Sequence, residues 1–271
     1  MNRAAADLRR ALRPARIGGI ALCGLLAAAL VLLAWRIAES LDGDGLGEYL
    51  PRLVDGFRLT LLIVSLSLLA GAALAILLTA LRLARLPILG RAAAAYCYAF
   101  RGTPLLAQLY LIYYGAGQAH PLLDVLGLWP LFRDPLSCVL VSFSLNTAAY
   151  QAEVLLGAIR SLPVAQIEAA RALGLPRLAT YGRVILPQAL IVALRPLGNE
   201  VAKMIKASAL ASVVTLLDLM GTANLIYSRT FDFHIFLVVA VIYLVMVEGL
   251  RWLAGTVEAR LVRHIQAPGG R

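Results

Sequence analysis

Four polar residues lie close together in an otherwise apolar stretch of the chain, residues 136–158. Asn146, Tyr150 and Glu153 follow i, i+4, i+7 spacing, so a helix would place them on one face, with Thr147 beside them. Their amide, phenol, carboxylate and hydroxyl groups can accept hydrogen bonds from an ammonium group and donate to a carboxylate. This face therefore predicts contact with a small molecule that carries both groups, such as an amino acid.

Glu153 also has a structural interpretation. A charge at the centre of a membrane helix costs roughly 2.5–3.5 kcal/mol on insertion scales, so such a group pairs with another or faces a cavity. Glu153 could pair with Arg101 or Arg160 and hold helices together without touching substrate. Both interpretations stay open at the level of the sequence.

A second polar set lies in the next apolar stretch. Asn199, Lys203 and Lys206 share one face, and Glu200 is placed to pair with Lys203 at i, i+3. We expect a structural or interfacial role for this set. Asp218 follows in a less regular region and is a candidate for the outward side of a substrate cavity.

The sequence contains none of the common motifs for nucleotide or metal chemistry. There is no Gly-x-x-x-x-Gly-Lys-[Ser/Thr] loop, because neither lysine follows a glycine, and no His-Glu-x-x-His pattern. We therefore predict that this chain is not an enzyme and carries no catalytic residue, metal or cofactor. The three cysteines fall within apolar stretches and are expected to be small core residues: Cys23, Cys97 and Cys138.

The composition requires a membrane. The 271 residues are 61% hydrophobic and only 15% charged, whereas a soluble domain carries roughly 25% charged residues. We predict an all-α membrane protein with about six transmembrane helices, since each needs about 20 apolar residues. The predicted spans are 17–38, 57–81, 92–115, 136–158, 188–210 and 234–256, and Arg101-Gly102-Thr103-Pro104 is expected to break or kink the third.

The distribution of arginine predicts the orientation. Fifteen arginines fall in segments 1–16, 82–91, 159–187 and 257–271, and three fall in the alternating loops. Because cytoplasmic loops retain Lys and Arg, both termini are predicted to be cytoplasmic. The apolar run 17–35 is too long for a signal-peptide core, so we expect an uncleaved anchor helix.

The cytoplasmic loop 159–187 has an unusual composition. Pro163 suits the first turn of a helix, the residues up to Leu173 favour helix, and Gly174 is well placed to end it. Its small residues would let another surface approach closely. By composition alone, an ordinary amphipathic connector is the alternative.

The spacing of this loop resembles the signature loop of permease subunits of bacterial ABC importers. The matching residues are Glu168-Ala169-Ala170, Gly174, Val184 and Leu186-Pro187, with Val184 where the family usually has Ile. Two further segments resemble the polar amino-acid branch, Arg101–Gly115 and Asn146–Pro163. The likeness covers about 55–255 and is strongest to the M-type subunits of histidine and octopine-type permeases; the histidine permease subunits have five spans, so the first helix here is an addition.

The resemblance implies a type I ABC importer transmembrane domain for a polar, basic amino acid in the bacterial inner membrane. Helix 163–174 would be a coupling helix that docks on an ATPase subunit, with Glu168, Ala169, Ala170, Gly174, Leu186 and Pro187 as coupling residues. The implied partners are two ATPase subunits that bind ATP and Mg²⁺, a second permease and a periplasmic solute-binding protein. The expected division is an N-terminal region 1–52, a permease core 53–256 and a basic tail 257–271.

Two other function classes remain as alternatives. One is an ABC permease for another small polar solute, and the other is a carrier driven by an ion gradient. The sequence shows no repeat of the kind that many secondary carriers have, which disfavours the second.

Overall fold

The computed structural model describes residues 46–84 and 86–263, and within them it is a bundle of helices. The predicted first span 17–38 and Cys23 lie outside the described residues. We number the described α-helices in chain order: α1 Leu46–Leu83, α2 Pro87–Gly102, α3 Leu105–Gln118, α4 His120–Val125, α5 Trp129–Phe132, α6 Pro135–Arg160, α7 Val164–Ala172, α8 Arg177–Ala179, α9 Leu186–Ala207, α10 Leu219–Thr230 and α11 His234–Arg263. A π-helix, Thr180–Ile185, precedes α9, and a 3-10 helix, Ser208–Val214, follows it.

Four helical segments in the described part of the chain are long and apolar enough to cross a membrane. They are Gly47–Leu83, Pro135–Arg160, Arg177–Val214 and His234–Thr256, which match four of the predicted spans. The predicted span 92–115 is divided between α2 and α3, and the chain is extended at Thr103 and Pro104. The break forms because Pro104 lacks a backbone N–H and disfavours helical geometry at the residue before it.

Helix α1 begins eleven residues before the predicted span 57–81. Hydropathy misses this extension because it contains the charged residues Glu48, Arg52 and Asp55, which are exposed, while Leu53 is buried. A helix with one apolar face is amphipathic and does not form a continuous apolar run.

Helices α1 and α6 form the centre of the bundle and make its most extensive contact. The two helices run parallel, because a later residue of α1 contacts a later residue of α6. Gly71 lies against Thr147, and farther along both helices the Thr79 hydroxyl donates to the Ala152 carbonyl. An added Cβ at Gly71 would lie 2.3 Å from the Thr147 methyl, so a glycine is needed for this close approach.

Small residues fill the contact between α1, α2 and α6. Ala75, Ala93, Cys97 and Ala149 are buried there, which allows the backbones to approach without a bulky side chain between them. Cys97 and Cys138 are both buried and free, as predicted from their apolar surroundings.

Candidate functional site: a charged cavity and an exposed short helix

A cavity of about 540 Å³ lies between α6, α9 and the broken α2–α3 span. Tyr150 and Glu153, two of the four residues of the predicted polar face, line it. Arg101 from α2 and Glu200 and Lys203 from α9 complete its charged wall. The cavity thus brings together groups that are up to 102 positions apart in the sequence.

Glu153 is part of an ion-pair network. The Arg82 guanidinium donates to Glu153 Oε1, and Arg101 Nη1 lies 3.6 Å from the same oxygen. The pairing with Arg101 is one of those that the sequence suggested; Arg82 was not foreseen, because it lies 71 residues away at the end of α1. Both contacts use Oε1, and 30% of the Glu153 side chain is exposed to the cavity.

The Tyr150 ring lies beside two cations. The Arg101 guanidinium carbon is 5.5 Å from the ring centroid and the Lys203 ammonium is 5.3 Å from it, distances at which a cation is attracted to an aromatic face. The phenol also donates a 3.4 Å hydrogen bond to the Arg101 carbonyl. Tyr150 therefore connects the broken span to α9 across the cavity wall.

Asn146 is buried at the break between α2 and α3. Its amide donates to Gln108 Oε1 at 2.9 Å and to the Phe100 carbonyl at 3.3 Å, and Gln108 itself donates to the Phe100 and Thr103 carbonyls. These bonds satisfy carbonyls that the interrupted helix leaves without an intrahelical donor. Asn146 therefore stabilises the break between α2 and α3 that forms one side of the cavity. Its contact with substrate stays a prediction.

Thr147 points away from Tyr150 toward α1. It is 1% exposed, packs its methyl group against Gly71 and accepts a 3.1 Å hydrogen bond from Gln151. Its predicted substrate contact is likewise untested by this arrangement.

Glu200 and Lys203 form the predicted i, i+3 ion pair, at 2.6 Å. Glu200 is 10% exposed, whereas Lys203 is 61% exposed, so the ammonium group is accessible from the cavity while its partner is largely covered. The covered Glu200 carboxylate thus orients the Lys203 ammonium group, which a ligand can still contact.

Asp218 lies outside the spanning helices, fully buried at the N-terminus of α10. Its Oδ1 accepts a 2.9 Å hydrogen bond from the Gly221 N–H, so the side chain caps that helix. Burial raises the pKa of Asp218 to about 6, although hydrogen bonds from backbone N–H groups act to lower it. Asp218 is not among the residues that line the described cavity, and its predicted substrate role stays a prediction.

The loop motif, predicted to be cytoplasmic, folds into the short helix α7 and a sharp turn. Gly174 has φ +74°, a left-handed conformation that favours glycine. The Gly174 N–H donates to the Arg171 carbonyl and the Leu175 N–H to the Ala170 carbonyl, the two bonds of a Schellman motif. The predicted helix and its terminating glycine are therefore confirmed.

Most of the predicted coupling residues are exposed on this segment. Glu168, Ala169, Gly174, Leu186 and Pro187 face outward, and Ala170 is buried against the chain. Three large apolar side chains of the same segment are also exposed, at 66% to 88%: Val164, Leu173 and Leu178.

A glutamine pair fastens α7 to the following span. Gln166 donates to Gln188 Oε1 at 3.0 Å, and Gln188 donates to the Val184 carbonyl at 2.8 Å. The pair is not apparent from the sequence, because the two residues are 22 positions apart and neither belongs to the loop motif.

Residues 67–263 match the family model described as "Binding-protein-dependent transport system inner membrane component". The chain belongs to this family. The matched residues include the charged cavity, the short helix α7 and α1 from residue 67 onward.

Individual transport proteins are also similar to this chain over most of its length. The nopaline transport system permease protein NocM of Agrobacterium fabrum is 38% identical over 82% of this chain and 93% of its own length. The arginine ABC transporter permease protein ArtM of Escherichia coli K12 is 39% identical over 75% of this chain and 90% of its own. A solved amino acid ABC transporter with histidines is 31% identical, with a TM-score of 0.72 over 81% of this chain and 99% of its own.

These matches establish the fold that the loop motif predicted. The chain has the transmembrane architecture of an ABC importer permease, built from helices apolar enough to span a membrane.

Proposed function

We propose that this permease moves a polar amino acid across the bacterial inner membrane in response to ATP hydrolysis by a partner subunit. The observation that carries the proposal is that α7 lies in the segment that connects α6 to α9, two of the helices that line the cavity. It follows α6, which bears Tyr150 and Glu153, and it is fastened by Gln166 to α9, which bears Glu200 and Lys203. A displacement of α7 would therefore reach both cavity walls.

The exposed surface of α7 suits a docking contact. Val164 and Leu173 offer apolar area, while Ala169 and Gly174 allow a close approach and Glu168 adds a charge at the edge. The occupant that we propose is an ATPase subunit that binds ATP and Mg²⁺. A separate subunit is needed for this because the present sequence has no phosphate-binding Gly-Lys loop. The complete importer would contain two such subunits, a second permease and a periplasmic solute-binding protein, with both termini of this chain in the cytoplasm.

The cavity chemistry supports an amino-acid substrate. Both arginines contact Glu153 Oε1, so the second carboxylate oxygen can accept a hydrogen bond from an ammonium group of a ligand. The cations beside Tyr150, Arg101 and Lys203, can bind a carboxylate. Relatives are named for transport of nopaline and of arginine, so we propose a guanidino or otherwise basic amino acid, or a derivative of one.

Uptake by the purified complex in sealed proteoliposomes tests this function. We expect labelled amino acid to accumulate only with ATP and the cognate binding protein, and no accumulation with a non-hydrolysable analogue. Uptake that runs on an ion gradient without ATP would overturn the proposal in favour of a secondary carrier. Uptake of a solute that is not an amino acid would leave the ATP-driven mechanism standing and replace the substrate.

A glutamate variant tests the cavity. We expect Glu153→Gln to lower uptake at least tenfold while the complex still assembles and its basal ATP hydrolysis persists. Glu258→Gln is the control, because Glu258 also pairs with an arginine, Arg195, but does not line the cavity. Equal losses in the two variants would show that Glu153 acts only in holding the helices together.

A further inference from the structure

The connection between α3 and α6 forms a short helical hairpin, α4 and α5, that is apolar and exposed. Its residues 119–132 carry one charged side chain, Asp124. Within the described part of the chain no residue of either helix is buried, and the main contacts of α4 are with α3 and α5. Five aliphatic side chains of the hairpin are 43% to 85% exposed: Leu122, Val125, Leu126, Leu128 and Leu131. An exposed apolar surface of this kind marks contact with a membrane or with another protein.

Helix α4 has one apolar face and one polar face. Leu122, Val125 and Leu126 follow i, i+3, i+4 spacing, so their side chains share a face. His120 and Asp124 follow i, i+4 spacing and lie on the opposite face. This division is typical of a helix that lies in the plane of a membrane surface, with its apolar side toward the acyl chains.

Local contacts fix the shape of the hairpin. Gly127 follows α4 with φ +66°, a left-handed conformation that favours glycine, and its N–H donates to the Asp124 carbonyl at 2.9 Å. The His120 ring lies edge-on to the Trp129 ring, with 4.1 Å between the centroids, and joins α4 to α5. The apolar side chains are therefore presented by a folded element.

The position of the hairpin in the chain places it at a membrane surface. It connects the end of the broken α2–α3 span to Asp134, whose side chain caps the spanning helix α6. Helix α7 follows the other end of α6, so the hairpin and α7 lie on opposite sides of the membrane. The hairpin contains Trp129, and Tyr114 is exposed near the end of α3. Both residue types are enriched where a membrane meets water.

From these observations we propose that α4 and α5 insert into the lipid interface of the leaflet opposite α7, with Leu122, Val125 and Leu126 among the acyl chains. Protein docking surfaces combine an apolar centre with a polar rim, whereas the charged side chain of this hairpin lies on the opposite face of α4. A lipid surface is therefore the better partner. The contact anchors the end of the broken span that supplies Arg101 to the cavity. It is independent of the import function proposed above.

Spin labels at two neighbouring positions test this contact. The complete permease complex is reconstituted into bilayers with its native cysteines replaced by alanine and a label at Val125→Cys or, as the matched control, at Asp124→Cys. Oxygen concentrates among the acyl chains, whereas nickel ethylenediaminediacetate stays in water. Because the two positions lie on opposite faces of α4, we expect the ratio of oxygen to nickel accessibility to be about fivefold or more higher for the Val125 label.

Three results would overturn the proposal. High nickel accessibility at both positions would place the apolar face in water. Exclusion of both reagents from the Val125 label would show that a protein surface, such as a second permease, covers this face. A fall in oxygen accessibility when a solute-binding protein is added would assign the face to that protein.

Trp129 gives a second measurement that leaves α4 unchanged. In a variant with Trp35→Phe and Trp252→Phe, we expect its fluorescence to be quenched more by lipids brominated near the headgroup end of the acyl chain than by aqueous acrylamide. Quenching by acrylamide alone would contradict insertion. ATP-driven uptake is measured separately on the unlabelled complex, so loss of the lipid contact and loss of the import function are distinguished.

Discussion

The cavity wall and the exposed helix α7 use charge and shape in opposite ways. In the wall, Arg82 from α1 and Arg101 from α2 reach Glu153 on α6, whereas Glu200 and Lys203 pair one turn apart on α9. Helix α7 is exposed, carries few charges and is shaped by bonds within a few residues, such as Leu175 to Ala170. A mutation in the wall should therefore change stability and selectivity together, whereas a mutation in α7 should change coupling with little effect on the fold.

The largest effect should come from removing the support of Glu153. Arg82→Met leaves that carboxylate with the looser Arg101 contact, and we expect a loss of about 2 kcal/mol in the free energy of unfolding. This is less than the 3–5 kcal/mol for a fully buried pair, because Glu153 is 30% exposed. Thermal unfolding of the purified complex in detergent measures the loss.

The matched double variant, Arg82→Met with Glu153→Met, should recover part of the stability, because it leaves no uncompensated carboxylate. If the double variant is less stable than Arg82→Met alone, an uncompensated Glu153 carboxylate is not the cause of the lost stability.

Asp218 extends the comparison to a buried carboxylate that is not part of an ion pair in the described residues. Its folded-state pKa of about 6 is raised above the ordinary 3.8, so the folded protein binds this proton more tightly than the unfolded chain does. The resulting contribution to stability is complete below pH 3.8 and is lost as the pH rises through 6. Lowering the pH from 7 to 5 should therefore stabilise the wild type by about 1 kcal/mol relative to Asp218→Asn.

Unfolding of both proteins across this pH range measures the difference, and parallel pH profiles would contradict it. Because the variant retains a hydrogen-bond acceptor for the Gly221 N–H, the helix cap is preserved in the comparison.

A change at Gly174 should affect coupling and leave the wall intact. Gly174→Val forces a β-branched residue into a left-handed conformation, at a cost of roughly 1–2 kcal/mol, and should reshape the turn after α7. We expect ATP hydrolysis to persist while uptake falls severalfold. Gly174→Asn is the control, since asparagine tolerates this conformation and no described atom lies within 4 Å of an added Cβ.

Normal uptake by Gly174→Val would show that the shape of this turn does not transmit movement. Equal defects in the valine and asparagine variants would place the requirement in the docking contact with the partner and not in the backbone conformation.

The smallest effect should follow loss of the glutamine pair. Gln188→Leu removes one side-chain hydrogen bond between α7 and α9, worth about 1 kcal/mol. The number of ATP molecules hydrolysed per substrate imported should rise modestly with little change in thermal stability. Gln118→Leu, at the exposed end of α3, is the control, and an unchanged ratio in Gln188→Leu would remove the pair from the coupling path.

The amino-acid sequence by itself determined what depends on local order. The spans 136–158, 188–210 and 234–256 follow from long, mainly apolar stretches. The interruption at Thr103 and Pro104 follows from proline, and the turn at Gly174 follows from its spacing after a helix-forming segment. These features arise from contacts between near neighbours, which a linear pattern records directly.

Only the tertiary structure decided which polar residues meet. The helical face from Asn146 to Glu153 follows from the sequence. However, the parallel packing of α1 on α6 brings Arg82 to Glu153. The break between α2 and α3 exposes carbonyl groups to which Asn146 donates. Tyr150 similarly acquires its two cations from α2 and α9. Helical spacing fixes which side chains share a face, whereas the neighbour that covers the face depends on how separate helices pack.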